Sequence, residues 1–280
     1  SDNGGAFYNR FKKYFKADYY TYDFKNSLTK ADDILDSLKK YDLVIAEMGG
    51  FSTRPGKAQS GDDPKQNYVL EYGVTTNLQH FLDRLTKEHD NTVLAVFGMP
   101  YVMNYLPAIK DATAVVFSQG NSSLAQDLMA QAIAGAFDVD GKLPVNTTPY
   151  PINTSVEIKG GIRFAFTIGE EVGINSAKLE HMVDSIVYGS IRNGAFPGCQ
   201  IVIAKDQKVI LERSYGYHTF TGQEPVKDED LFDMASNTKV CAALPAYMEL
   251  YDQGKIDYFA VSLPDLQLFD EDLTLRNRAH

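Results

Sequence analysis

Met234-Ala235-Ser236-Asn237-Thr238-Lys239 holds the pair of side chains best suited to covalent chemistry. Ser236 and Lys239 stand three apart, so in a helical turn they share one face. A lysine amine beside a serine hydroxyl can take its proton once burial weakens the amine's hold on its own. A helix start adds free N–H groups and a positive dipole near a developing oxyanion. The chemistry this allows is acyl transfer through a serine ester. The same four residues also read as an N-cap serine followed by an exposed lysine, so their surroundings must decide.

Other candidates carry less. Asp62 and Asp63 are adjacent, so they point apart and read as solvated loop charges, whereas retaining glycoside hydrolysis needs two carboxyls about 5 Å apart. Glu47 ends an apolar strand, but one carboxylate does not define a site. Phe97 and Tyr101 read as packing rather than sugar platforms. Cys199 and Cys241 are the two cysteines. They lie in apolar runs and read as buried free thiols, with one disulfide left open. The five histidines, His80, His89, His181, His218 and His280, have neither HExxH nor HxH spacing. No metal and no cofactor is implied.

These residues need elements to hold them. Helical spacing predicts helices over 6–16, 29–40, 75–89 and 121–136. Apolar or β-branched runs predict strands at 18–23, 43–46, 92–97 and 112–117. Strand and helix alternate, which predicts βαβ units and a mainly parallel sheet flanked by helices. The loop over 50–73 is long and polar, the kind that is usually functional or mobile. Proline and glycine punctuate 146–175, read as a connection with a short strand at 162–167. A helix then runs from Asn175 to Asn193-Gly194, a hairpin joins 199–204 to 209–211, and a second helix spans Ser236 to Asp252 before Gly254. The fold class is α/β, followed by a partial α+β unit. The domains are 1–150, a linker over 151–174, and 175–280.

The 280 residues suit about two domains. A composition 44% hydrophobic and 23% charged excludes a disordered chain. A net charge of −10 excludes an electrostatic grip on nucleic acid. No apolar run reaches the ~20 residues of a membrane span. Neither strand end, Met48-Gly49-Gly50 nor Gly98-Met99-Pro100, is a dinucleotide or Walker loop. Ser1-Asp2-Asn3-Gly4-Gly5 is not a signal peptide and reads as a cut edge.

Two resemblances join these readings. Gly141-Lys142-Leu143-Pro144-Val145, with Tyr41-Asp42-Leu43-Val44-Ile45 and Val96-Phe97-Gly98-Met99-Pro100-Tyr101, resembles the C-terminal α/β domain of glycoside hydrolase family 3 over 1–150. Phe196-Pro197-Gly198-Cys199-Gln200, Tyr215-Gly216-Tyr217, the Ser-x-x-Lys string and Leu250-Tyr251-Asp252-Gln253-Gly254-Lys255-Ile256 resemble the serine β-lactamase and penicillin-binding-protein superfamily over 172–277. The second resemblance implies Ser236 as nucleophile and Lys239 as its activator.

Together they resemble bacterial fusions of a barrel, an α/β domain and a serine hydrolase domain, named β-N-acetylglucosaminidases or related glycosidases. The implied protein is exported or periplasmic. It acts on glycans or cell-wall pieces through a barrel upstream of this fragment. Its oligomeric state stays open. The family's later motifs, Tyr-x-Asn or Ser-x-Asn and then Lys-Thr-Gly or His-x-Gly, do not follow Ser236, and the chain stops at Asp272-Leu273-Thr274-Leu275-Arg276-Asn277. The expectation is therefore a fragment inactive or impaired alone. The alternative is a non-catalytic carbohydrate- or cell-wall-binding module with a vestigial Ser-x-x-Lys.

Overall fold

The structure is a computed structural model that describes residues 5–23, 29–59, 61 and 66–256. Asp62-Asp63, Ser1-Asp2-Asn3, His280 and the stretch 272–277 lie outside the described residues. The architecture is mixed α/β, with one parallel sheet of three strands and a second, mixed sheet of three.

The first unit contains helices α1 (Ala6–Phe11), α2 (Thr29–Leu38), α3 (Thr76–Glu88) and α4 (Ser123–Ile133). Its strands β1 (Val44–Met48), β2 (Thr92–Phe97) and β3 (Ala114–Ser118) pair in parallel in the order β1-β2-β3. Side chains alternate across a strand, and β2 uses both faces. Leu94 and Val96 enter a cluster with Leu35, Leu78, Leu82 and Leu85 from α2 and α3. Ala95 and Phe97 enter another with Phe7, Phe11, Met129 and Ala130 from α1 and α4. That two-sided burial explains the unbroken apolar run. Thr75 and Ser122 start α3 and α4 by accepting the N–H of Leu78 and Ala125, both at 3.2 Å.

The expected strand at 18–23 is not formed. Residues 17–23 form neither helix nor strand, and side chains hold them in place. Tyr22 stacks on Phe81 at 4.5 Å, Tyr19 packs on Tyr8, and Tyr20 shares a 2.9 Å hydroxyl contact with Tyr41. β-propensity supplies the segment but cannot supply a partner edge. The helix expected over 6–16 is also shorter, passing into turns after Phe11. Leu143 of the Gly-Lys-Leu-Pro-Val string is buried and exchanges hydrogen bonds with Asn153 and Thr154.

The second unit opens with β4 (Ala165–Phe166) and a 3-10 turn, Gly169–Val172. Then come α5 (Ser176–Arg192), β5 (Gly198–Lys205) and β6 (Lys208–Gly216). β5 and β6 form the expected hairpin, turned by Asp206 and Gln207, both with positive φ. That pair of angles suits the right-handed twist of two-residue hairpins. α5 starts on Asn175, whose side chain accepts the Lys178 N–H at 2.7 Å, and stops at Gly194 with φ +72°.

β4 joins the units. One edge pairs in parallel with β6. On its other edge Phe166 donates its N–H to Gln131 Oε1 at 2.8 Å and accepts from Gln131 Nε2 at 3.1 Å. Gln131 is 1% exposed and also donates to Asp127, which accepts from Arg10 at 2.7 Å. The Arg10 guanidinium lies 4.0 Å from the centroid of the Phe166 ring. Gln131→Leu therefore strands two backbone groups at the joint. The expected loss is about 2–3 kcal/mol in denaturant unfolding, with the single transition separating into two.

A second clamp ties α5 to β6. Arg213 bonds Asp184 at 2.9 Å and Glu180 at 3.0 Å, and the Tyr215 hydroxyl donates to Asp184 at 2.6 Å. The tyrosine hydroxyl first, and Arg213 second, hold the Asp184 carboxyl below its ordinary range. Burial and the same carboxylate raise Tyr215 to about 12. A depressed carboxylate contributes stability above its unfolded value and loses it as pH falls through the native value. Asp184→Asn should lower the thermal midpoint at pH 7 and flatten the loss of stability below pH about 4.

Candidate active site

Residues 235–252 form the helical run expected from Ser236 to Asp252, in three pieces. A 3-10 turn spans Ala235–Asn237, a π-helical turn spans Lys239–Ala243, and α6 spans Leu244–Asp252. Pro245 explains the division. It has no N–H to give and its ring presses on the preceding turn, so the register widens just upstream. Gly254 stops the run at φ +66°, with Gly254 and Lys255 donating to Tyr251 and Leu250.

Both predicted residues meet. Lys239 Nζ donates to Ser236 Oγ at 3.0 Å. The residue before the serine is strained, since Ala235 holds φ +44°. The Asp233 carboxylate accepts the Ala235 N–H at 2.8 Å, and Asn237 donates to Met234 at 2.9 Å. Local bonds therefore fix the turn that presents Oγ. Sequence reasoning missed Asp233 and Ala235; neither has a signature outside the turn itself.

The surroundings are open. Ser236 and Lys239 are exposed, as are Leu231, Met234, Val240, Leu244 and Tyr247. The described residues do not build the low-dielectric wall that would favour proton transfer from serine to lysine. Cys241 is free and exposed, which corrects the expectation of a buried thiol; its turn has no cover on that side. Cys199 is free and half-buried, and burial raises its thiol pKa. Among the described residues no group of three His, Cys, Asp or Glu side chains could hold a metal, and no helix is long and apolar enough to cross a membrane.

The segment leading to the serine is pinned elsewhere. Asp230 accepts from His218 at 2.8 Å and from the Lys227 N–H at 2.7 Å. The backbone N–H first, then the histidine, lower its carboxyl pKa. Gln200 donates from β5 to the carbonyls of Lys227 and Asp230. Gly198 and Gly216 face each other across the hairpin's end.

Residues 177–261 match the family model described as Beta-lactamase. This stretch is a β-lactamase-like domain. The domain contains Ser236, Lys239 and the hairpin. The chain is 33% identical over 116 residues to "N-acetylmuramyl-L-alanine amidase" of Bacillus subtilis, covering 39% of this chain and 26% of that protein. It is 32% identical over 95 residues to "Putative D-alanyl-D-alanine carboxypeptidase" of Salmonella paratyphi B, covering 31% of this chain and 22% of the relative. The chain thus spans about a quarter of the curated relatives it matches. No solved structure gives a significant match. No finding supports a glycoside hydrolase family 3 domain in the first unit.

Gly216 has φ +65°, and a Cβ there would stand 2.3 Å from the Pro197 carbonyl oxygen. Gly216→Ala should cost about 1–3 kcal/mol in chemical denaturation, because the backbone of the β-lactamase-like domain leaves no room to yield.

Proposed function

We propose that the β-lactamase-like domain belongs to a serine acyl hydrolase acting on cell-wall peptides. The observation that carries this is the 3.0 Å contact between Lys239 Nζ and Ser236 Oγ at the opening of a helical run. Ser236 Oγ attacks an acyl carbonyl while Lys239 takes its proton. The tetrahedral oxyanion collapses, the amine leaves with that proton, and water then hydrolyses the serine ester. The names of the amidase and the carboxypeptidase support peptide cell-wall material as the substrate class.

The wider reading places residues 1–150 as the α/β domain of a family 3 glycosidase, with its barrel and aspartate nucleophile encoded upstream. The Gly141–Val145 string and the parallel sheet support it. Export to the cell envelope goes with that reading. A frame upstream without a barrel would end it and leave the serine hydrolase standing.

The test uses the full-length protein with a fluorophosphonate or penicillin probe. Wild type should label, and Ser236→Ala should abolish labelling. Lys239→Ala should slow acylation by about 10²–10⁴-fold. A folded protein that never labels would establish a non-catalytic binding module instead.

A further inference from the structure

Between Val226 and the serine turn the chain runs in the open. Val226 is buried, and its N–H donates to the Gly216 carbonyl at 3.1 Å. Of residues 227–236 only Asp230 is half-buried, and the others are exposed. Apolar cover does not hold this strap, so polar and ring contacts must. Ser214 donates to Asp228 at 2.6 Å, and Lys13 pairs with the same carboxylate at 3.6 Å. Gln200 holds the carbonyls of Lys227 and Asp230. His218 reaches further along. Its Nε2 meets Asp230 Oδ2 at 2.8 Å, and its ring stacks on Phe232 with centroids 5.7 Å apart. Among the described residues, no other side chain from outside the strap makes a hydrogen bond, ion pair or ring contact with residues 231–235.

His218 hangs from fixed backbone. It follows β6, where Tyr217 donates its N–H to the Pro197 carbonyl at 3.0 Å and bridges to Pro225. His218 donates its own N–H to the Glu224 carbonyl at 2.9 Å. The turn between them passes through Gly222 at φ +71°, and the Thr219 and Thr221 hydroxyls meet at 2.6 Å. The direction of the imidazole bond follows from its partner. Asp230 Oδ2 also accepts the Lys227 N–H at 2.7 Å, and with its carboxyl pKa lowered Asp230 is ionised at neutral pH. An ionised carboxylate only accepts, so His218 Nε2 carries a proton and donates it to the bond.

The serine turn needs such an anchor. Ala235 holds φ +44°, and a strained residue keeps that angle only where its surroundings over-determine it. Asp233 fixes the Ala235 N–H from inside the turn. That bond shapes the turn but does not place it against the hairpin. Phe232, next to Asp233, and Asp230, two residues earlier, do so through one imidazole.

We infer that His218 is a positioning residue for Ser236: it holds Asp230 by a charge-assisted hydrogen bond and Phe232 by stacking, and so keeps Ser236 Oγ in reach of Lys239 Nζ. Its consequence for catalysis rests on the acyl hydrolase reading; its geometry does not. The bonds of His218 go to the strap and not to Ser236 or Lys239, so its loss should slow acylation without weakening substrate binding.

Acylation of the full-length protein by a fluorescent penicillin, followed over time at several concentrations, separates rate from binding. His218→Ala should lower the saturating acylation rate about 10- to 100-fold, the cost of misplacing a reacting group by up to ~1 Å. The half-saturating concentration should stay within about twofold of wild type. His218→Gln keeps an N–H for Asp230 and should recover most of the rate. His218→Phe keeps only the stack and should recover less. In the 280-residue chain, the NMR amide signals of Ala235 and Ser236 should shift in His218→Ala and return towards wild type in His218→Gln. Should His218→Ala not fold, the order of the Gln and Phe variants carries the test. Four results overturn the proposal. His218→Ala acylates as fast as wild type, or the loss lies in the half-saturating concentration, or His218→Gln recovers no more rate than His218→Phe, or the two amides do not move. A folded wild type that never labels ends the acyl hydrolase reading, and the amides of Ala235 and Ser236 then decide the positioning by themselves.

Discussion

One buried glutamine holds the two halves of the structure together. Gln131 sits on a helix of the first unit and satisfies both backbone groups of Phe166, a residue of the second sheet. A two-residue strand cannot keep its place through its own ladder. It holds because Gln131 replaces a neighbouring strand on one edge while β6 pairs with the other. Arg10 completes the joint by stacking on the Phe166 ring and bonding the aspartate that orients Gln131. Lys13 adds an ion pair to Glu212 across the same boundary, exposed enough to contribute little.

The same rule, that strand edges must find partners, shapes the rest. β4 finds one in a side chain. Among the described residues β1 has no strand on its outer edge, and a cavity opens there. β5 ends the second sheet, with Val202 62% exposed. The helical run bearing Ser236 is exposed at every residue but the half-buried Leu250. The serine turn is shaped all the same, because its determinants are local: Asp233 holds the Ala235 N–H, and Pro245 forces the π turn. Its chemical environment is not local, since desolvation depends on what packs over it.

Much was legible in the sequence because it rests on short-range physics. The periodicities of 29–40, 75–89, 121–136 and 175–191 each found a helix, although the stripes of α4 and α5 stay partly uncovered, with Leu124, Leu128, Met182 and Ile186 exposed. The apolar runs at 92–97 and 112–117 found strands. Ser236 and Lys239 came together because a turn of helix brings residues three apart onto one face. The failures have the opposite character. The strand expected at 18–23 needed a neighbouring backbone at about 4.8 Å, and propensity cannot provide one. Cys241 was expected to be buried because its neighbours are apolar, but apolar neighbours along the chain do not guarantee cover in space.

By itself the sequence determined the α/β alternation, the hairpin, and a serine–lysine pair on one helical face. These depend on spacing, capping and backbone freedom within a few residues. Only the tertiary structure decided that Gln131 would serve as a strand edge for Phe166, that a cavity would open beside β1, and that Ser236 would stand in the open. Each of those depends on which distant segments meet, and hydrogen-bond satisfaction and burial are fixed only where they do.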